Sequence, residues 1–262
     1  MDNWLLLAGA GLIAGIMNAV AGGGTFVTLP ALIFAGVPSV AANATSTVAL
    51  FPGTLASAYA YRKDFRSFTS AEGGTDGRIE GSVDIVTLLL ISLAGGLVGA
   101  LLLLFTPNKS FDVIVPWLLL LGTVTFAFGP QLSVVLRRRF TIGPGTMKAC
   151  QFVLAIYGGY FGGAVGIMLM ACWSLLGMTD LLAMNAAKTL LVTAMNTVAA
   201  ICFAIAGLVW WPQTGIMVLA AVVGGYAGAR VARRLNQVLF RKLISVFYFA
   251  LTAAFFWRAF FA

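Results

Sequence analysis

The sequence from Gly11 to Ser46, GLIAGIMNAVAGGGTFVTLPALIFAGVPSVAANATS, is apolar enough to lie in a bilayer but is interrupted by three consecutive glycines. A backbone broken at membrane depth leaves N–H and C=O groups that lipid cannot satisfy. Such a break must therefore be buried in protein or line a wet cavity. The glycines and the polar residues that follow them are the first candidates for a ligand site: Gly22, Gly23, Gly24, Thr25, Asn43, Thr45 and Ser46.

The same pattern occurs again in the second half of the chain. A glycine-rich run ends at Gly166, and Asn185-Ala-Ala-Lys-Thr189 follows it; the spacing from Gly24 to Asn43 equals the spacing from Gly166 to Asn185. We therefore expect the chain to be an internal repeat of one unit. Each copy consists of a broken helix followed by a helix that begins with polar residues. The expected divisions are a first repeat over 1–136, a basic cytoplasmic linker over 137–148 and a second repeat over 149–262.

Composition indicates a membrane protein. Of the 262 residues, 61% are hydrophobic and only 9% are charged, whereas soluble domains carry about 25% charged residues. The net charge of +8 comes from basic residues at the ends of apolar segments. This placement is typical of residues that set membrane topology, and it argues against nucleic-acid binding. The sequence contains no histidine, which excludes HExxH zinc sites and Ser-His relays; we expect no metal and no cofactor.

The positions of the basic residues decide between two topologies. If each half crossed the membrane four times, one basic block would lie on the opposite side from the others, against the positive-inside rule. If each broken segment is a hairpin, each half crosses three times, and the basic loops 62–78, 137–148 and 230–242 are all cytoplasmic, with the N-terminus outside. An odd number of crossings inverts the second half relative to the first. A long first helix that folds back as two unequal parts gives the same odd number of crossings. The sequence therefore does not determine how deep the hairpin enters the membrane.

The expected fold class is therefore an all-α polytopic membrane protein of two inverted-topology repeats. Each repeat has a glycine-broken, re-entrant helix followed by about three transmembrane helices, a recurring design of secondary transporters whose substrate site lies near the breaks. Other glycines are better explained by close helix packing: Gly11 with Gly15, Gly95-Gly96 with Gly99, and Gly224-Gly225 with Gly228.

Lys188 is the strongest single indication of a site. It lies about two turns into an apolar helix, where a cation is costly unless it faces a partner or water. The alternative is a lysine near a helix end that extends to the membrane interface. No Asp or Glu lies in a predicted helix core, and Asp180 is nearest in sequence. An anionic substrate, also bound by half-helix N-termini at Gly24 or Gly166, fits as the missing counter-charge.

Neutral groups around the breaks complete the candidate site. Asn185, Lys188 and Thr189 share one helix face, and Asn196 lies two turns further on. The alternative interpretation of the Asn and Thr residues is hydrogen bonding between helices. The expected donors to the oxygens of an anion are Asn43, Thr45, Ser46, Asn185, Thr189, Asn196 and the backbone of Gly22 to Thr25 and of Gly163 to Gly166.

Several of these motifs together resemble the TauE/SafE sulfite exporter family, also called the sulfonate uptake permease family. The resemblance covers nearly the whole chain and rests on Ala21 to Thr25 with Pro30, Ala42-Asn-Ala-Thr45, Tyr157 to Gly166, Asn185 to Thr189 and Gly224 to Arg230. It implies a secondary carrier of small sulfur-containing anions such as sulfite, sulfonates or sulfoacetate, commonly exporting them from a bacterial cytoplasm. The sequence differs from the usual pattern at Ala164-Val165, where more glycine is common.

The expected function is thus anion transport by alternating access in the bacterial inner membrane. An anion channel and a non-transporting membrane scaffold are the rivals; an intramembrane enzyme lacks a catalytic group. The expected partners are a small anionic substrate and the lipid bilayer, with no nucleic acid, and the glycine-rich helices outside the breaks leave room for a homodimer.

Overall fold

The structure, a computed structural model, describes residues 3–20, 23–60, 78–79, 83–137, 144–175, 181–232 and 237–261. Within these ranges the chain forms ten α-helices and one two-stranded antiparallel ribbon. The elements are α1 (Trp4–Val20), α2 (Thr25–Phe34), α3 (Ser39–Ala60), β1 (Arg78–Ile79), β2 (Val83–Asp84), α4 (Ile85–Leu104), α5 (Asn108–Arg137), α6 (Pro144–Tyr160), α7 (Val165–Leu175), α8 (Leu181–Ile205), α9 (Trp211–Ala232) and α10 (Gln237–Phe260).

The helices confirm a polytopic membrane protein. Four described stretches are long and apolar enough to cross a bilayer: Ile85–Leu104, Asn108–Gly129, Met184–Ile205 and Lys242–Phe260. A helix of 20 residues is about 30 Å long, which matches the hydrocarbon thickness. The ribbon departs from the all-α expectation: Arg78 pairs with Asp84 and Ile79 with Val83, directly before α4.

Both expected helix breaks are present. The backbone has positive φ at Gly23 (91°) in the first break and at Gly162 (75°) and Ala164 (60°) in the second. Positive φ is a conformation that L-residues disfavour and that ends a right-handed helix. After the breaks, α2 has 10 residues and α7 has 11, so each is about 15–17 Å long and spans only half of a bilayer.

Glycines let two pairs of helices pack backbone to backbone. Helix α1 packs along α9, where a Cβ on Gly15 would collide with the carbonyl oxygen of Ala221 and a Cβ on Gly224 with that of Leu12. Helix α4 packs along α6 in the same way, with Gly99 against the carbonyl of Ile156. These contacts confirm the packing role predicted for the glycines of α1, α4 and α9 that the structure describes.

Three chain segments meet at one end of the molecule, which we call the turn end. They are the start of α3, the α4–α5 turn and the α8–α9 turn. The Asn108 side-chain oxygen accepts hydrogen bonds from the Val40 backbone N–H (3.0 Å) and the Ser39 hydroxyl (3.3 Å). The Trp210 N–H donates to the Thr45 hydroxyl oxygen at 3.1 Å.

A separate hydrophobic cluster begins at the opposite end and continues to Val165 at the second break. At the opposite end it joins the first turns of α4, α6 and α8 to the last part of α7, through Ile85, Met147, Trp173 and Met184. The start of α4 belongs to this end because the helix reaches the turn end only at its last residue, Leu104.

Candidate functional site

Lys188 lies beside the second break, on the helix α8 that follows it. It is seven residues beyond Leu181, so it is about 10 Å into the helix. Its aliphatic chain crosses α7 at Gly166, where a Cβ would lie 3.0 Å from the lysine Cδ. The ammonium Nζ donates to the side-chain oxygen of Asn185 at 2.7 Å.

The charge of Lys188 has no carboxylate partner among the described residues. Asp180, the nearest acid in sequence, lies outside them. An ammonium has three donors, and the bond to Asn185 uses one. The arrangement thus leaves a partly buried cation, held in place by an amide, with donors left for an anion.

Thr189, the neighbour of Lys188, uses its hydroxyl inside the helix. Its Oγ1 donates to the Asn185 carbonyl at 2.7 Å, and Thr193 does the same to the Thr189 carbonyl. The hydroxyl hydrogen of Thr189 is therefore engaged, and its oxygen lone pairs are acceptors. Binding an anion through this hydroxyl requires a change of rotamer.

Asn43 connects the first half of the chain to the second break. It is fully buried on α3, at 0% exposure, and its amide Nδ2 donates to the carbonyl oxygen of Tyr160 at 2.8 Å. Tyr160 is the last residue of α6, so its carbonyl oxygen has no N–H partner within the helix. The side-chain oxygen Oδ1 of Asn43 has no hydrogen-bond partner in the described part of the protein.

The first break is closed by protein hydrogen bonds. The N–H of Gly24 donates to the side-chain oxygen of Asn18 (3.2 Å), and the Tyr248 hydroxyl donates to the carbonyl of Gly23 (3.2 Å). The Thr28 hydroxyl donates to the Gly24 carbonyl and pairs with the Ser46 hydroxyl. Ser46 therefore supports the backbone of this break, while Thr25 is buried at the start of α2.

The remaining predicted site residues lie apart from Lys188 or have structural partners. Thr45 accepts the Trp210 N–H near the turn end. Gly163 packs within the second break, where a Cβ would lie 2.6 Å from the Phe161 ring. Asn196 is 8% exposed and its side chain makes no hydrogen bond within the described residues. Gly22 lies outside the described residues.

An aromatic cluster between the two breaks was not predicted from the sequence. Phe26, just after the first break, stacks on Tyr248 with ring centroids 4.1 Å apart and meets Phe161 of the second break edge to face at 6.4 Å. The Tyr157 hydroxyl donates to the Leu118 carbonyl at 3.2 Å. The only sequence signal was the position of Phe26, Tyr157 and Phe161 within or beside the glycine motifs; Tyr248 carried none.

A cavity of about 390 Å³ opens at the turn end, within the usual size range of ligand pockets, about 300–1,000 Å³. It is lined by Val40 and Ala41 of α3, by Thr106 and Asn108, and by Trp210. The Tyr160 hydroxyl donates to Thr106 Oγ1 at 3.3 Å. Tyr160 therefore connects the rim of the cavity to Asn43, because its hydroxyl bonds to Thr106 and its carbonyl bonds to the Asn43 amide.

No group of three or more His, Cys, Asp or Glu side chains that could share a metal ion occurs in the described part of the chain. The groups at the second break are an ammonium, amides and backbone dipoles. Their chemistry suits the binding of an anion.

The sequence profile described as Sulfite exporter TauE/SafE matches residues 7–255. The chain belongs to this family. The TauE/SafE family is one of membrane transporters, and the apolar helices agree with that membership.

Curated relatives match the chain over most of its length. A protein named "Probable membrane transporter protein" from Haemophilus influenzae is 28% identical over 97% of this chain and 94% of its own. A "Probable membrane transporter protein ORF9" from Sinorhizobium sp is 26% identical over 92% of this chain and 88% of its own. The Escherichia coli K12 protein named "Probable membrane transporter protein YfcA" is 25% identical over 90% and 82%.

Proposed function

We propose that this TauE/SafE protein is a secondary transporter that moves small sulfur-containing anions across the bacterial inner membrane. Sulfite, sulfonates and sulfoacetate are the substrate class, export is the direction, and alternating access is the mechanism. The observation that carries the proposal is the Lys188 ammonium, which lies beside a helix break and has no carboxylate partner among the described residues.

The charge of Lys188 supports an anionic substrate on energetic grounds. An uncompensated cation in a membrane protein costs several kcal/mol, so such residues face a partner, water or a transported ion. Asn185 offers only an uncharged oxygen to Nζ. A bound monovalent anion would supply the missing negative charge. After its release, water would solvate the Lys188 ammonium.

The surroundings of Lys188 support a site at the second break. The N-terminal turn of α7, including Gly166, adds free backbone N–H groups and the positive end of a helix dipole. Asn185 orients the ammonium, and Asn43 reaches the same break from α3. We assign Lys188, Asn185, Asn43, Gly163 and Gly166 to the site itself.

In this proposal the other predicted residues do not bind the anion but stabilise the structure around the breaks. Their hydrogen bonds or burial keep the broken backbone in place while the second break exchanges ligand. This group comprises Gly23, Gly24, Thr25, Thr45, Ser46, Thr189 and Asn196; the predicted residue Gly22 lies outside the described residues.

We further propose that the two halves, 1–136 and 149–262, are inverted repeats joined by the basic linker 137–148. Packing supports this proposal because a given helix of one half and its counterpart in the other half pack on corresponding helices. The first helix of each half packs on the fourth helix of the other, α1 on α9 and α6 on α4. Likewise α4 packs on α8, and α9 packs on α3.

The directions of the helices support hairpins that open to opposite sides. Helix α1 runs parallel to α9, since Gly11 adjoins Met217 and Gly15 adjoins Ala221, so α1 starts at the turn end, where α9 starts. Helix α2 ends next to the start of α3 at the same end. In the second half, Met147 of α6 and Trp173 of α7 meet in the cluster at the opposite end.

These hairpins also fit the topology in which the basic loops 62–78, 137–148 and 230–242 are cytoplasmic and the N-terminus is outside. In that topology the α4–α5 and α8–α9 turns share the outer side. With four plain crossings in each half they would lie on opposite sides. The common cavity of these turns therefore favours the hairpin arrangement.

The proposal is tested by anion flux into proteoliposomes, with sulfite and a short sulfonate as substrates. We expect Lys188→Met to lower kcat/KM by about 100-fold or more because the charge partner of the anion is lost. The matched control is Lys109→Met, an exposed lysine at the turn end, which should keep wild-type flux. Equal flux in wild type and Lys188→Met would refute the assignment of Lys188.

The same assay separates the rivals. Saturable flux that is stimulated by substrate on the opposite side of the membrane identifies a carrier, whereas a channel gives flux without such counterflow stimulation. Flux of neither anion by the wild-type protein would withdraw the sulfur-anion assignment. A scaffold would tolerate the loss of Lys188 and of the Asn residues alike.

A further inference from the structure

We propose that Asn43 recognises the transported anion as a hydrogen-bond acceptor, so that the preferred substrate is a monoanion that carries its own O–H or N–H donor. This inference rests on the proposed function and specifies its substrate. It assigns the unpartnered oxygen of Asn43 a role opposite to the donor role expected from the sequence.

The orientation of the Asn43 amide follows from its partner. A carbonyl oxygen can only accept, so the group that faces Tyr160 O at 2.8 Å must be the NH₂ of the amide. Rotating the amide by 180° would bring two acceptor oxygens together. The side-chain oxygen is therefore directed away from Tyr160, and the helix end holds it there.

Burial makes this oxygen significant. Asn43 is 0% exposed, and its Oδ1 lies within reach of no donor in the described part of the chain. Most buried polar atoms are hydrogen-bonded, and an unsatisfied one destabilises the fold. Such an oxygen is expected if a donor group of the ligand hydrogen-bonds to it during part of the transport cycle.

The location of Asn43 connects this oxygen to a ligand path. Asn43 bonds to Tyr160 at the start of the second break, and Lys188 lies against Gly166 at its end. The cavity at the turn end is lined by Ala41, two residues before Asn43 on α3, and by Thr106. Tyr160 joins this rim to Asn43, because its hydroxyl donates to Thr106 and its carbonyl accepts from the Asn43 amide. The inference places the anion at this break, with its charge on Lys188 and its donor on Asn43.

The two groups together define the chemistry of the ligand. The ammonium requires negative charge, and the amide oxygen requires a donor, which a fully deprotonated oxyanion lacks. Hydrogensulfite carries the donor on its head group, whereas a hydroxy- or amino-alkanesulfonate carries it on its chain. Both sources share the same chemistry, that of a monoanion with one donor.

Matched pairs of anions test the inference in proteoliposomes at one fixed pH. Methanesulfinate replaces the hydroxyl of hydrogensulfite with a methyl group, and ethanesulfonate lacks the hydroxyl of 2-hydroxyethanesulfonate. We expect the donor-bearing member of at least one pair to have kcat/KM about 5- to 100-fold higher, as for a buried acceptor left unpaired by the wrong ligand. Which pair shows the preference identifies the source of the donor.

Variants then assign the preference to Asn43. Asn43→Leu and Asn43→Ala remove the acceptor, and we expect the ratio of the two rates to fall to about one. The ratio is an internal control because a destabilised protein loses both rates together; a single elution peak in detergent checks folding. The matched control is Gln213→Leu, which removes another buried oxygen without a partner, in the first turn of α9, and should keep the ratio.

The outcomes separate this inference from the proposed function. Equal transport of both members of both pairs by the wild-type protein, or an unchanged ratio in both Asn43 variants, would overturn the inference and leave anion transport standing. Flux of none of the four anions would overturn the proposed function itself.

Discussion

At the scale of single residues, the second break differs from the first because an alanine takes one of its positive-φ positions. Ala164 holds a φ of 60°, a left-handed conformation that costs an alanine about 1–2 kcal/mol. Its methyl group is buried and lies against α5, where a Cβ on Gly122 would be 3.2 Å away. The packing of this methyl group explains how the sequence tolerates alanine at a position that favours glycine.

Gly166 is the residue that makes room for the Lys188 side chain, and Gly166→Ala tests this. A Cβ there would lie 3.0 Å from the lysine Cδ. The flexible lysine can move aside, so we expect the protein to fold, but its ammonium would be displaced. Because a shift of about 1 Å at a binding group can cost up to about 100-fold in rate, we expect kcat/KM for the transported anion to fall by about tenfold.

Gly215→Ala is the control for this substitution. Gly215 is also helical, and a Cβ there would meet nothing within 4 Å. This variant should transport normally and be slightly more stable, since alanine favours helix over glycine by about 1 kcal/mol. Normal transport by Gly166→Ala would show that the lysine position does not depend on Gly166.

At the scale of elements, each broken helix is a long leg followed by a short one. Helices α1 and α6 have 17 residues each, whereas α2 and α7 have 10 and 11. This is the unequal division that the sequence left open. The short legs begin where the backbone has positive φ, because one or two such residues redirect the chain without an extended loop.

A cross-link between α6 and α7 tests the fold of the second hairpin. Cys150 of α6 and Cys172 of α7 lie close enough for their thiols to interact, and neither these cysteines nor Cys202 form a disulfide. We expect an oxidant to form the Cys150–Cys172 disulfide in a Cys202→Ala background, detected by mass spectrometry of the linked peptides. In one continuous helix these residues would be about 33 Å apart, and no bond would form.

The cross-link also bears on transport. If the α6–α7 hairpin moves as a unit during alternating access, the disulfide should leave flux largely intact; if its legs separate, flux should fall and return on reduction. Cys150→Ser in the same background is the control, because the oxidant should have no effect on it. Failure to form any cross-link in the folded protein would contradict the antiparallel packing of the two legs.

At the scale of the whole molecule, the helices of the two halves are interleaved rather than placed side by side. Helices α1 and α6 each pack along a helix of the opposite half through close glycine contacts. The second break adjoins α3 of the first half through Asn43 and α8 of its own half through Lys188. The proposed site therefore forms only when both halves are assembled.

The proposed orientation in the membrane is tested by labelling single cysteines. Lys109 at the turn end and Lys148 near the start of α6 are both exposed. In a cysteine-free background, Lys109→Cys should react with a membrane-impermeant maleimide in intact cells, and Lys148→Cys only after permeabilisation. The reverse pattern would invert the assigned orientation, and labelling of both from outside would contradict the hairpin topology.

The sequence alone determined the membrane class, the positions of both breaks, the packing glycines and the family, because composition, glycine spacing and local motifs act over short stretches of chain. It also singled out Lys188, since a cation in an apolar helix is visible without coordinates. Only the tertiary structure decided how these pieces pair: the aromatic contact between the breaks, the closed first break, and the bond from Asn43 to Tyr160 join residues far apart in sequence. Which polar groups are satisfied and which remain open depends on those long-range partners, and no local pattern encodes them.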